Sequence, residues 1–329
     1  GSDKTEELKV STIIVATGMD EFKPEGQFLY GEDARVVTLL ELENKIKAGD
    51  ISGVGDTVFI TCVNSKNDER GCCNIGCHVS VKNAVALKKA NPDSNVYVMY
   101  RDMSLIREEH FAIDEAKTVG VKFLRFPDAQ YPEVSKASDK LMVKVNDILS
   151  GREFKVQADQ LVLTCAFKGN ETVQDIKGHL KVSASADGFF QERHIKLGPV
   201  DFAADGLSLA GCAKNPKTFK ESCEESLAAA MRVSIPMANG HIEAEGIVAD
   251  IDLTDCSKCG LCAKKCPYGA IRLSEDKEPS VIKALCKGCG LCAADCPTNS
   301  IQIVHFSDEQ IIAAVEAALE DNPEGKILG

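Results

Sequence analysis

No run of about 18 or more apolar residues occurs in this 329-residue chain, so no segment reads as a membrane-spanning helix. The opening residues also lack the basic, apolar and small-residue order of a secretory leader. Positive charge is scarce: 38 lysines and arginines face 50 aspartates and glutamates, leaving a formal charge of −12. That balance repels phosphate and excludes nucleic acid or an anionic membrane surface as the main partner. Fifteen cysteines are too few for a disulfide scaffold of this length. Their grouping in C-x-x-C runs points instead to metal–thiolate chemistry in a reducing, cytoplasmic setting. With 44% hydrophobic residues the chain can bury a sizeable core, and its length implies about two or three domains.

What is present in quantity is one pattern written twice. Residues 255–273 read DCSKCGLCAKKCPYGAIRL and residues 285–303 read LCKGCGLCAADCPTNSIQI. Both contain C-x2-C-x2-C-x3-C-P, the run of bacterial two-cluster ferredoxins, in which the fourth cysteine serves the other cluster. Three thiolates on a tight loop around Gly260 or Gly290 can wrap three corners of a cubane, and the proline turns the fourth cysteine away. One [4Fe–4S] cluster is therefore expected on Cys256, Cys259, Cys262 and Cys296. A second is expected on Cys286, Cys289, Cys292 and Cys266. Zinc is the competing reading of paired C-x2-C, but zinc needs neither the doubled pattern nor the proline.

Upstream the pattern is α/β. Strands are expected at 10–18, 55–63, 94–102 and 121–126, with helices at 34–49, 79–91 and 108–120 between them, which is a parallel unit. Residues 140–148 and 152–159 read as a hairpin. Further buried strands are expected at 160–167 and 205–213, followed by a long helix over 222–240 that carries Pro236. Cys165 and Cys223 read as packed, structural cysteines. Ser307 caps a last helix whose Ile311, Ile312, Val315 and Leu319 form an apolar face expected to pack on the ferredoxin unit. The closing GKILG has the look of a strand beginning.

This order resembles the two-dinucleotide-domain flavoproteins of the thioredoxin reductase group. The resemblance implies an FAD site with Gly18 of ATG and Gly211 of GLSLAGC approaching the cofactor closely, Cys212 as a flavin neighbour, and Lys217 near the isoalloxazine ring. One place departs from the pattern. The turn after strand 55–63 should be glycine-rich if it cradled a nicotinamide dinucleotide. It carries Cys62, Cys72, Cys73, Cys77 and His78 instead, so metal ligands stand where phosphate ligands would.

Taken with DGFFQERHIKLGPVDFAADGLSLAGCAKNPKTFKES, residues 187–222, and the doubled ferredoxin run, this cysteine-rich insert resembles the A-type subunits of heterodisulfide reductase and their relatives. Those relatives include components of quinone-interacting membrane-bound oxidoreductases. The resemblance runs from about residue 10 to about residue 320. It implies an electron-transfer subunit, or a fragment of one, that passes electrons between flavin and iron–sulfur clusters and is not catalytic alone. It also implies a third [4Fe–4S] cluster held by Cys62, Cys73 and Cys77, with either Cys72 or His78 as the fourth ligand. The N-terminal glycine-rich FAD-binding turn of such proteins has no counterpart here, so FAD is expected only if another segment or polypeptide supplies that half. Implied partners are other members of a redox complex, including a hydrogenase-delta-like domain or chain. The expected domains are a partial flavin-binding unit (1–54 and 166–240), a nucleotide-binding-like unit with the insert (55–165), a two-cluster ferredoxin unit (241–306), and a terminal helix and tail (307–329). The alternatives are an iron–sulfur relay scaffold without flavin and an NAD(P)H-dependent disulfide reductase, against which the missing glycine loop speaks.

Overall fold

The computed structural model describes residues 6–51, 54–105, 110–241 and 246–320. In chain order the strands are β1 (Ile13–Val15), β2 (Met19–Glu21), β3 (Val36–Thr38), β4 (Thr57–Val63), β5 (Val96–Tyr100), β6 (Lys122–Arg125), β7 (Glu133–Ala137), β8 (Lys140–Asp147), β9 (Arg152–Ala158), β10 (Gln160–Cys165), β11 (Phe167–Gly169), β12 (Leu207–Leu209), β13 (Ala249–Ile251), β14 (Ile271–Leu273), β15 (Pro279–Val281) and β16 (Ile301–Ile303). The helices are α1 (Leu39–Lys47), α2 (Gly76–Ala90), α3 (His110–Thr118), α4 (Val173–Leu180), α5 (Phe219–Asn239), α6 (Leu261–Lys265), α7 (Leu291–Ala294) and α8 (Asp308–Leu319).

The centre is a five-stranded parallel sheet in the order β3-β10-β4-β5-β6. β4 reads TVFITCV and every residue of it is buried, as a strand covered on both faces must be. One face packs against the helices through Leu39, Leu42, Val81, Ala84, Leu87 and Ala116. The other carries an antiparallel meander, β7-β8-β9. In β8 the alternation is strict: Leu141, Val143, Val145 and Asp147 turn inward while their neighbours are half-exposed.

Two expectations change here. The helix expected over 34–49 begins only at Leu39; the β-branched Val36, Val37 and Thr38 form an edge strand paired with Leu161–Leu163. Thr38 is extended, and its hydroxyl accepts the Glu41 N–H in a capping box, so one residue ends the strand and starts the helix. The hairpin of β8 and β9 gains a third strand, β7, whose mostly exposed EVSKA gives little alternation to detect.

A smaller layer surrounds β1, paired parallel with β12, and β2, paired antiparallel with β11. Val15, Val173, Phe190, Phe202 and Leu209 form its core, with Phe190 and Phe202 edge to face at 5.6 Å. Gly169 at the end of β11 is pressed against the chain at Gly188; a Cβ there would fall 1.7 Å from the Gly188 carbonyl oxygen. α5 begins at a Thr218–Glu221 capping box and runs to Gly240, with Ala229 its one buried residue. The last unit pairs β13 with β16 and β14 with β15. α8 does begin at a capping box on Ser307, but none of its residues is buried, and Ile311 and Ile312 are exposed. Val315 and Leu319 of the expected face are half-buried, and the first residue of the helix is tied down, by Asp308 to Gln302 and Asn299. The GKILG segment and residues 108–109 of the third expected helix lie outside the described residues. Among those described, no helix is long and apolar enough to cross a membrane.

Two glycines should separate contact from conformation. Gly169→Ala should cost at least about 3 kcal/mol, because no flexible side chain can yield to it. Gly178→Ala, inside α4 with open space around it, should stabilise by about 0.5–1 kcal/mol. Urea unfolding followed by circular dichroism measures both.

Candidate functional site

The two cysteine runs fold into near-copies of each other. Gly260 and Gly290 take left-handed φ of 74° and 77° and launch the short helices α6 and α7, which bury Cys262 and Cys292. Each run closes on its proline, and the chain crosses to the other half. Two small pockets result. One is lined by Cys256, Cys259, Cys262 and Cys296, with Pro297 and Ile301. The other is lined by Cys266, Cys286, Cys289 and Cys292, with Pro267 and Ile303. The structure thus brings each expected set of four together, three from one run and one from the other.

Polar groups reach the sulfurs from the backbone. Lys258 N–H donates to Cys256 Sγ at 3.4 Å, Ala249 N–H to Cys286 at 3.3 Å, and Ala270 N–H to Cys266 at 3.3 Å. Ser300 Oγ lies 3.4 Å from Cys296 Sγ. Burial works against the Cys296 thiolate, yet the hydroxyl and N–H groups of Ser300 and Thr298 bring its pKa down to about 7. Cys292 goes the other way: burial, with Cys286 and Cys289 close by, pushes it up to about 11. Sulfurs so crowded in an apolar pocket resist becoming anions together unless positive charge sits among them. Among the described residues no three His, Cys, Asp or Glu side chains converge as the ligands of a single ion would. A cubane does not ask for that, since its four thiolates bind four different irons. The donor set and the N–H groups aimed at sulfur both fit an iron–sulfur cluster.

The insert is built on the end of β4. There Thr61 and Cys62 stand opposite the single Thr164 of β10, a bulge in a parallel pair, and Cys62 has a left-handed φ of 60°. Bulges re-aim side chains. Without this one, Cys62 and Val63 would exchange faces. Thr164 also holds α2 close: Ser80 Oγ lies 2.7 Å from its hydroxyl, and a Cβ on Gly76 would meet Thr164 Cγ2 at 2.5 Å and Cys73 Sγ at 2.7 Å. Cys62, Cys73 and Cys77 are buried, and Cys72 is half-buried. Cys72 accepts a hydrogen bond from the Cys73 thiol and, against burial, is helped by Asn74 N–H and the Lys66 ammonium, so its pKa falls below that of an ordinary thiol. Burial pushes Cys77 up to about 11 and adds to the rise that the Cys72 thiolate imposes on Cys73. Cys62, Cys72, Cys73 and Cys77 thus act on one another as a group, with Lys66 beside them. His78 stands one residue beyond Cys77, in the first turn of α2.

Beside the insert opens a cleft of about 380 Å³, lined by Cys72, Asn74, Phe189, Gln191, Glu192 and Lys214 among others. Gly18 and Gly211, with φ of 76° and 64°, follow the carboxyl ends of the parallel pair β1 and β12, where open α/β sheets receive ligands. Cys212 donates toward the Lys217 carbonyl at 3.7 Å. Lys217 is buried and ion-paired with Glu225, while Lys214, three residues earlier, is the lysine that lines the cleft, 3.6 Å from Glu192 and 3.8 Å from Glu225. The sequence pattern did not single out Lys214, Glu192, Gln191 or Asn74. Only the position of Lys214 directly after GLSLAGCA hinted at it.

In metal-free chain, Cys72 should be alkylated by iodoacetamide faster than an ordinary thiol at neutral pH and with a shallower rise between about pH 6 and 8, since Asn74 N–H and the Lys66 ammonium favour its thiolate. An ordinary thiol of pKa about 8.5 speeds up close to tenfold per pH unit over that range. Cys77 should stay unmodified. Peptide mass spectrometry reads each site, and a tenfold-per-unit rise at Cys72 would contradict the geometry.

Comparison with known proteins gives three findings. Residues 249–303 match the 4Fe-4S dicluster domain. The chain is 38% identical over 333 residues to the A subunit of the H(2):CoB-CoM heterodisulfide,ferredoxin reductase of Methanothermobacter marburgensis, an alignment covering 96% of this chain and 50% of that one. It is 36% identical over 334 residues to the A-type iron-sulfur subunit of the CoB–CoM heterodisulfide reductase of Methanocaldococcus jannaschii, covering 95% and 51%. Among solved structures, the T. acidophilum thioredoxin reductase overlaps 69% of this chain and 66% of its own at 12% identity, with a TM-score of 0.47. The chain spans about half the length of the curated relatives it matches. With its doubled cysteine run, its cysteine-bearing insert and this identity over nearly all its residues, the chain belongs to the A-subunit family of heterodisulfide reductases.

Proposed function

We propose that this chain is the electron-carrying part of a heterodisulfide reductase-type complex and links a flavin to iron–sulfur clusters. The observation that carries the reading is the pair of four-cysteine pockets, each completed by a cysteine from the other run. Cys256, Cys259, Cys262 and Cys296 hold one [4Fe–4S] cluster, and Cys286, Cys289, Cys292 and Cys266 hold the other. Cys62, Cys72, Cys73 and Cys77 hold a third in the insert. Cys72, rather than His78, takes the fourth place because it shares a hydrogen bond with Cys73 and is the thiol of the group already poised as an anion. Such clusters supply one-electron chemistry when bound.

The protein's own residues do the rest. Ile271, Ile301 and Ile303 exclude water from the pockets, and the N–H groups of Ala249, Lys258 and Ala270 favour the more reduced, more negative state. Gly18 and Gly211 leave room for a flavin at the carboxyl ends of β1 and β12, and Lys214 places positive charge in the cleft beside the insert. FAD is held there only together with a dinucleotide-binding turn from outside this chain. The other members of the complex, a hydrogenase-delta-like unit among them, are the expected partners. A nicotinamide-dependent disulfide reductase is disfavoured because cysteines and a bulge occupy the turn that would cradle its cofactor.

Anaerobic reconstitution of the full chain should yield about twelve irons, four for each [4Fe–4S] centre. Cys72→Ala should lower that to about eight, and His78→Ala should leave it unchanged. Added FAD should not stay with the chain alone through gel filtration. A colourless, iron-free product would end the proposal. Ser300→Ala removes the hydroxyl at Cys296 and should lower the midpoint potential of that centre alone in an EPR-monitored titration.

A further inference from the structure

The ferredoxin unit is nearly symmetric in sequence, so nothing in its two runs says which end faces the rest of the molecule. The contacts do. Lys287, between Cys286 and Cys289, lines the second pocket, and its ammonium lies 2.5 Å from Asp205 just before β12. Its counterpart in the first run is Ser257, which carries no charge. Pro267 and Tyr268 also line the second pocket, and they form one wall of an open cleft of about 560 Å³ whose other wall is Lys177, Lys181 and Gln191. Gln191 in turn lines the cleft that holds Cys72. Both pockets are lined from within 249–303, and the contacts to Asp205 and to the Lys177–Lys181 wall come from residues of the second.

Building on the cluster reading above, we infer that the unit is docked with a fixed polarity. The Cys266–Cys286–Cys289–Cys292 centre faces inward, toward the insert. The Cys256–Cys259–Cys262–Cys296 centre is the outward end, open to an external one-electron carrier. Lys287 and Tyr268 are the positioning residues. Lys287 pins the inner end by charge. The Tyr268 ring separates the inner pocket from the cleft leading to Gln191 and Cys72. No proton donor or nucleophile need take part at this junction.

The test uses the full chain, anaerobically reconstituted and reduced, with a soluble dysprosium(III) chelate as relaxing agent. EPR power saturation should shift several-fold for the outward centre and hardly at all for the inward one, with Cys259→Ser and Cys289→Ser assigning the signals. Lys287→Glu should make the inward centre as sensitive as the outward one, and adding Asp205→Lys should restore its protection. Because a serine variant can lose its cluster, hydrogen exchange on the wild-type and Lys287→Glu chains gives a second reading. Exchange should rise at 177–184 and 266–269 and stay unchanged at 256–260. Equal relaxation of both centres in the wild type, or exchange rising equally in both runs or in neither, overturns the polarity while leaving the clusters in place. A chain that assembles no iron overturns both the polarity and the reading beneath it.

Discussion

The structure depends on the mutual repulsion of thiolates held close together away from water. Four sulfurs lining one small pocket cannot all ionise there on their own: burial, with Cys286 and Cys289 close by, pushes Cys292 up to about 11. A positively charged inorganic core removes that conflict, and the surrounding backbone is arranged around it. Left-handed glycines make the loops tight, prolines turn the fourth cysteines across, and amide hydrogens point at sulfur. The same conflict recurs in the insert, on a different scaffold. There a strand bulge and the N-terminus of α2 bring cysteines far apart in sequence to one place, with Lys66 giving partial relief.

How much of this could be read in advance varied with the range of the interaction. The ferredoxin ligand sets were legible because their geometry is local: spacing, glycine and proline lie within about a dozen residues of one another, and the crossover follows from the doubled pattern. The parallel sheet was legible from its buried, β-branched runs. β3 was not, because three residues ahead of a helix carry no periodicity of their own, and only pairing with β10 makes them a strand. β7 was hidden by its polarity. The apolar side chains of α8 announced a face but not whether anything covers it, since amphipathicity is a property of one element and packing of two. Sequence singled out Lys217, but the structure buries that lysine against Glu225, and Lys214 is the one that lines the cleft beside the insert.

The sheet also explains why the insert could change character without disturbing the fold. The turn after β4 lies beyond the core that β4, β5 and β10 share, so residues 64–75 can carry cysteines in place of a phosphate-binding loop while Val58, Phe59 and Ile60 stay fully buried. The one intrusion into the sheet is the bulge at Thr61 and Cys62, and Thr164 absorbs it by serving two neighbours at once.

The pair β1–β12 has a consequence of another kind. Two short parallel strands are too few to stand as a sheet, and Ile13 and Ile14 remain open on one side while nearly all of α5 is exposed beside them. The five-stranded sheet, by contrast, is sealed on both faces. Cooperativity is therefore divided. The ribbon and its long helix should open before the central sheet gives way, and heating this chain should not produce a single all-or-none transition.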